Sequence, residues 1–99
     1  MHIIKLHFSA RKVDAPQWMA AHNAWLDAGF SDGVFLAAGS LEDGSGGCIL
    51  AAQQTRDLVE ARVAQDPFVM HGVVTPEITS FKPGRTQPAL ASLLTQTPA

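Results

Sequence analysis

The sequence predicts an α+β domain with the element order β-α-β-β-α-β, and three observations support this prediction. Apolar residues alternate near the beginning and near the end of the first eighty or so residues, which predicts a strand at each place. Two stretches between strand segments favour helices. A glycine-rich segment separates two short apolar runs, as in a β-hairpin. This order is that of the ferredoxin-like plan, a four-stranded antiparallel sheet with two helices on one face.

The first part of the chain supplies a strand and a long helix. The segment His2–Phe8 alternates in hydropathy and is rich in β-branched and aliphatic residues, which is typical of a strand. Asp14 is a favourable N-cap shortly before Pro16, so we predict a helix over residues 16–30. Turn-forming residues at 31–33 end this helix.

The middle of the chain predicts a hairpin. Residues 34–38 form a short apolar strand, and residues 48–52 form its partner. Between them, residues 39–47 contain four glycines and predict a loop. Cys48 is the only cysteine; it falls on the returning strand, so we expect a buried structural thiol.

The second helix and the last strand complete the domain. Thr55 is a favourable N-cap, and the helix should end near residue 65, because residues that precede proline avoid the helical region. The last strand covers residues 73–81, and Pro76 within it indicates an edge position. In an antiparallel sheet with the strand order 4-1-3-2, the last strand lies at an edge, as Pro76 requires. We predict one domain over residues 1–83 and a C-terminal tail over residues 84–99.

Composition restricts the classes of function. The chain has 99 residues, and a hydrophobic content of 46% with 16% charged residues excludes a disordered chain. Seven basic and nine acidic residues form no basic run, so we expect no nucleic-acid partner. We also expect no membrane contact and a cytoplasmic location, because the sequence has neither a long apolar stretch nor a signal-peptide pattern. The uncovered sheet face of so small a domain predicts a homodimer.

An imidazole lies where the first helix should carry apolar residues. With His22 at zero and about 100° per residue, Trp18 falls near −40° and Leu26 near +40°. Trp25 and Met19 fall near −60° and +60°, so the imidazole lies in the middle of an apolar face. Such a group needs a partner: it is either a core histidine bonded to a backbone carbonyl and a water, or a functional group.

The predicted topology brings His22, the loop over residues 39–47 and Asp66 to one end of the domain. The first helix begins at that end, the hairpin turns there and the second helix ends there. A carboxylate beside an imidazole fixes its tautomer, which is the arrangement of a general acid–base pair. The loop would offer backbone N–H groups and space for a small ligand. Alternatively, Asp66 only caps or ends the second helix, and the glycines only shape the hairpin.

Five further residues are candidates for substrate contact, since they lie on the His22 helix face, in the glycine-rich loop or just after Asp66: Trp18, Trp25, Ser40, Asp43 and His71. Serine and aspartate are common at hairpin tips, and a histidine in a turn is commonly exposed, so these residues also have structural explanations. The sequence contains no metal-ligand spacing, phosphate loop or dinucleotide fingerprint. We therefore expect neither a metal nor another cofactor.

A longer pattern includes several of these residues. Its members are His22, Trp25-Leu26, Gly33, Phe35-Leu36, Gly39, Gly46-Gly47, Asp66-Pro67-Phe68-Val69, Gly72-Val73, Ile78 and Phe81. In this pattern the chain resembles the YciI-like (YCII-related) family over roughly residues 2–83. The helical histidine together with the Asp-Pro-Phe-Val segment is its specific part. Ser40 is a departure, because family members often have proline at that position.

The resemblance implies a dimeric ferredoxin-like α/β barrel whose pocket contains a histidine and an aspartate, here His22 and Asp66. It also implies proton transfer on small cyclic, anionic or phenolic substrates. We therefore expect a cofactor-independent isomerase or lyase in which this pair moves a proton on a small ring. The alternative is a non-catalytic dimer that binds a small metabolite or accompanies another protein. A turnover that depends on pH favours the enzyme, and saturable binding without product favours the binding module.

Overall fold

The computed structural model describes residues 1–94 and contains a four-stranded antiparallel sheet. The strands are β1 (His2–Phe8), β2 (Phe35–Ser40), β3 (Gly46–Ala51) and β4 (Val74–Ser80). Their order in the sheet is β2-β3-β1-β4, which confirms the predicted topology. Pro76 lies on the edge strand β4, where the missing N–H interrupts no second ladder.

The helices are α1 (Ala15–Ser31), α2 (Arg56–Val63), α3 (Pro67–Met70) and α4 (Pro88–Leu94). The ends of α1 and α2 lie within about two residues of the predicted ends. Asp14 and Thr55 occupy the predicted N-cap positions, but neither side chain makes a capping hydrogen bond. Asp14 accepts a hydrogen bond from Arg11 Nε at 3.2 Å instead. The predicted positions are therefore correct, although the predicted capping bonds are absent.

The short helix α3 is one of the elements that the sequence patterns do not predict. Four residues are too few to show a helical period. The start of α3 is nevertheless specified locally, because Pro67 occupies a first-turn position that needs no N–H donor. The Asp66 carboxylate accepts a hydrogen bond from the Phe68 N–H at 3.0 Å and so caps this helix.

The hairpin and the tail differ in extent from the prediction. The predicted loop over residues 39–47 shortens, because Ser40 pairs with Gly47 and the Leu41 N–H donates to the Gly46 carbonyl at 2.8 Å. Gly46 requires glycine, since a Cβ there would overlap the Leu6 carbonyl oxygen. Within the predicted tail, residues 88–94 form α4, and the remaining residues 95–99 lie outside the described part of the chain.

The core lies between the sheet and the helices. Ile4 and Leu6 of β1 and Ile49 of β3 are buried on this covered face. Val59 and Val63 of α2 pack onto it from above. Burial of each such side chain contributes roughly 1.5–3 kcal/mol.

Alternate residues of the strands face the other side of the sheet, which α1 and α2 leave uncovered. On this uncovered face Ile3 and Leu50 are half-buried cross-strand partners, and Lys5 is exposed. The polar pair His7 and Glu77 lies beside them, with 3.2 Å between His7 Nε2 and Glu77 Oε1. The uncovered face is therefore of mixed character, with apolar and charged side chains side by side.

Candidate active site

The structure places His22 and Asp66 in direct contact, although they are 44 positions apart in the sequence. Nδ1 of His22 lies 2.7 Å from Oδ1 of Asp66. His22 is 9% exposed and Asp66 is fully buried, so the pair lies almost entirely out of water. A carboxylate accepts hydrogen bonds, so the shared hydrogen belongs to Nδ1. The neutral imidazole then keeps an unprotonated Nε2.

Two further contacts fix this pair. The Phe68 ring stacks on the imidazole with centroids 4.0 Å apart and ring planes 6° apart. The Phe68 N–H also donates to the same Asp66 oxygen that holds His22. Asp66 therefore accepts hydrogen bonds from the backbone and from the imidazole at once. The second oxygen, Oδ2, is buried without a hydrogen-bond partner among the described residues.

A cavity of about 300 Å³ lies between α1 and the hairpin end of the sheet, and His22 forms part of its wall. Ala38 and Gly47, on the covered face of β2 and β3, also line it, and their small size leaves a gap beneath the helix. Most of the remaining wall is apolar or glycine backbone: Leu6, Phe8, Met19, Leu26, Gly39, Gly44, Gly46, Ile49, Phe68 and Val74. This volume is at the lower end for small-molecule sites and suits a ligand of about one ring.

The wall also includes the polar residues Asn23 and Ser40, together with Cys48, whose side chain lies on the face of the sheet that carries Lys5. Ser40 is thus a predicted contact residue that the structure brings to the cavity. Asn23 was not predicted, because it falls near +100° on the helix and outside the apolar arc. The sequence signal that could have identified Asn23 is that this polar residue directly follows His22, the candidate base. Cys48 is half-buried, whereas we predicted a buried thiol.

The two tryptophans do not line this cavity. Trp25 donates from Nε1 to the Arg62 carbonyl at 3.0 Å and packs edge-on against Phe35. Trp18 stacks on His71 with centroids 3.5 Å apart and planes 5° apart. Both tryptophans lie on the negative side of His22 around the helix, whereas Met19, Leu26 and Asn23 on the positive side face the cavity. His22 is therefore the boundary between a packing half and a cavity half.

Asp43 and His71 also lie outside the cavity wall. Asp43 accepts a hydrogen bond from the Ser45 N–H at 2.9 Å, which stabilises the turn at the hairpin tip. Hydrogen bonds from Ser45 lower the pKa of the Asp43 carboxyl below its ordinary value. His71 follows α3 and faces Trp18. The structure therefore unites His22, Asp66 and Ser40, and places the other four predicted residues elsewhere.

Over residues 1–94, no three His, Cys, Asp or Glu residues are grouped as metal ligands. In the same part of the chain, no helix has the length and apolar character needed to cross a membrane.

The family model of the YCII-related domain matches residues 8–82. The chain belongs to this family. The matched segment extends from the end of β1 past the end of β4 and includes both His22 and Asp66. A search of curated proteins finds no match.

A solved structure shows the same fold. It is 5-chloro-2-hydroxyhydroquinone dehydrochlorinase from Burkholderia phenoliruptrix AC1100, in complex with 2,5-dihydroxybenzoquinone. The likeness has a TM-score of 0.68 and 19% sequence identity, and it covers 85% of this chain and 96% of that chain. At this identity the likeness establishes the ferredoxin-like α+β fold, and it carries no residue roles over.

Proposed function

We propose that this YCII-related protein is a cofactor-independent enzyme that moves a proton on a small cyclic or phenolic substrate. The observation that carries the proposal is the buried His22–Asp66 pair at the wall of a cavity of one-ring size. Because Asp66 holds Nδ1, the other ring nitrogen, Nε2, is the one left to act on a ligand. The solved dehydrochlorinase with a bound quinone supports a ring-shaped substrate, since it has the same fold.

The reaction would begin with His22 as a general base. Nε2 takes a proton from a C–H or O–H group of the substrate, and the Asp66 carboxylate stabilises the resulting imidazolium. In an isomerisation, the imidazolium returns the proton to another ring atom. In an elimination, the electron pair of the broken bond forms a double bond, and the leaving group departs with its own bonding pair. Both outcomes balance without an oxidant or a cofactor.

Replacement of His22 by Asn tests this role. The protein would be assayed against a panel of hydroxylated and halogenated six-membered rings, with absorbance and halide release as readouts. The His22→Asn protein should lose turnover by on the order of 10²-fold or more, because an amide cannot exchange protons near neutral pH. His71→Asn is the matched control, since the same substitution there lies outside the cavity wall.

The outcomes of this assay separate the candidate roles. A stable His22→Asn protein with undiminished turnover would exclude the general base. If His22 is only a packing residue, the substitution should instead destabilise the fold by roughly 1–3 kcal/mol through an unsatisfied partner. Saturable ligand binding without product by the unaltered protein would favour the non-catalytic module.

We further propose that the uncovered sheet face, which includes Ile3, Lys5 and Leu50, pairs with a second copy of the chain. Half-buried apolar side chains and charged groups of both signs on this face support a self-complementary contact. Sedimentation equilibrium should then give a mass of about twice 10.5 kDa at micromolar concentration. A monomer at tens of micromolar would contradict the dimer. If the dimer forms through this face, Leu50→Glu should weaken it.

A further inference from the structure

The charge of the cavity wall restricts its ligand. Among the described residues that line the cavity, none is a lysine or an arginine. Nζ of Lys12 lies 5.0 Å from the centre of the Phe8 ring, but Lys12 is not itself part of the wall. His22 is therefore the one side chain of the described wall that has a positively charged form.

The buried pair behind the wall adds a second restriction. With a neutral imidazole, His22 and the Asp66 carboxylate together carry one negative charge. A proton taken from the ligand neutralises the pair, and one negative charge is then left on the ligand. A ligand that already carried a carboxylate would place a further negative charge beside Asp66. No cation of the described wall would compensate it.

We propose that the cavity selects uncharged hydroxylated rings and excludes rings that carry a carboxylate. This inference rests on the ring-binding function proposed above and names its substrate class. Asn23 and Ser40 are the contacts for a second oxygen of the ring. Asn23 follows His22 on α1 and Ser40 ends β2, so the two side chains reach the cavity from its helix wall and its sheet wall.

The chemistry of these two side chains agrees with an uncharged ligand. An amide and a hydroxyl both donate and accept hydrogen bonds, so they suit a ring hydroxyl or a ring carbonyl. Neither group supplies a positive charge for a carboxylate. Both residues are exposed at the rim, where a substitution alters the cavity with little effect on the core.

A pair of ligands of nearly equal shape isolates the effect of charge. 4-Hydroxybenzamide is uncharged near neutral pH, whereas 4-hydroxybenzoate carries a carboxylate. Equilibrium dialysis against the full-length protein, with ligand absorbance as the readout, gives the two dissociation constants. The unaltered protein should bind the amide at least tenfold more tightly.

Substitutions then supply the missing cation. Asn23→Lys and Ser40→Lys each place an ammonium group at the rim, from the helix side and from the sheet side. At least one of them should shift the amide-to-acid preference tenfold or more toward the acid. Ala24→Lys is the matched control, because it adds the same charge to an exposed position of α1 outside the cavity wall. It should leave the preference unchanged.

Each outcome decides the question. Equal binding of the two ligands, or tighter binding of the acid, by the unaltered protein overturns the charge selection while the ring-binding function stands. A preference that neither lysine variant shifts also overturns it, since the missing cation is then not the cause. If neither ligand binds any of the proteins, and hydroquinone and catechol fail as well, the ring-binding function itself fails and this inference falls with it.

Discussion

Two histidines join α1 to the segment around α3, and they differ in the properties that proton transfer requires. His22 is buried, donates to the Asp66 carboxylate and lines the cavity. His71 is half-buried, stacks on Trp18 and lies outside the cavity wall. Each imidazole stacks nearly parallel on an aromatic ring, so stacking does not distinguish them. The carboxylate partner and the place in the cavity wall do distinguish them, and these two features predict which histidine carries chemistry.

Among the substitutions that would sharpen this comparison, we expect those of Asp66 to have the largest effect. Asp66→Ala removes the partner of His22 and the cap of α3 together. We expect it to cost roughly 1–3 kcal/mol for the unsatisfied groups and about 1 kcal/mol for the lost cap. Asp66→Asn keeps an oxygen acceptor for both N–H groups, but it removes the negative charge that stabilises an imidazolium. It should lower turnover by on the order of 10²-fold or more with a smaller loss of stability.

Urea denaturation and turnover, measured on both Asp66 variants, separate the two roles. An Asp66→Asn protein with full turnover would show that Asp66 acts only as a helix cap. An Asp66→Ala protein as stable as the parent would contradict the capping role and the buried hydrogen bond.

The smallest expected effect lies at the other histidine. His71→Asn removes the stack on Trp18, which contributes about 0.5–1.5 kcal/mol. The free energy of unfolding should fall by about that amount, and kcat and KM should stay within about twofold, since His71 lies off the cavity wall. A tenfold rise in KM would instead establish His71 as a substrate contact and break the contrast between the two residues.

The contact between His22 and Asp66 could be predicted from the sequence, because it depends on local helical periodicity and on the order of the elements. Helical spacing located the imidazole on an inward face, and the β-α-β-β-α-β order placed residue 66 at the same end. The helical wheel could not predict which half of that face lines the cavity. Trp18 and Leu26 are equally near to His22 around α1, yet only Leu26 lines the cavity. That difference is set by the position of the hairpin relative to α1, which is a tertiary property.

Two other features also depended on tertiary structure. The four residues of α3 are too few for a period, so the cap at Asp66 was visible only as a residue before proline. The extent of the hairpin loop depended on cross-strand pairing, since Ser40 and Gly47 pair within a segment whose composition favours a loop. Glycine marks places where the chain turns, and it equally marks places where two backbones approach closely, as at Gly46 beside Leu6.

One Asp66 oxygen accepts hydrogen bonds from both the Phe68 N–H and the imidazole. The positions in and around the cavity should therefore differ in how well they tolerate substitution. A change at Asp66 or His22 should alter folding and the proposed chemistry together, so we expect few substitutions there to be tolerated. Asn23 and Ser40 are exposed at the rim, where substitutions are expected to leave the fold intact. Directed evolution toward a new substrate should therefore accumulate changes first at the rim, while the buried pair stays fixed.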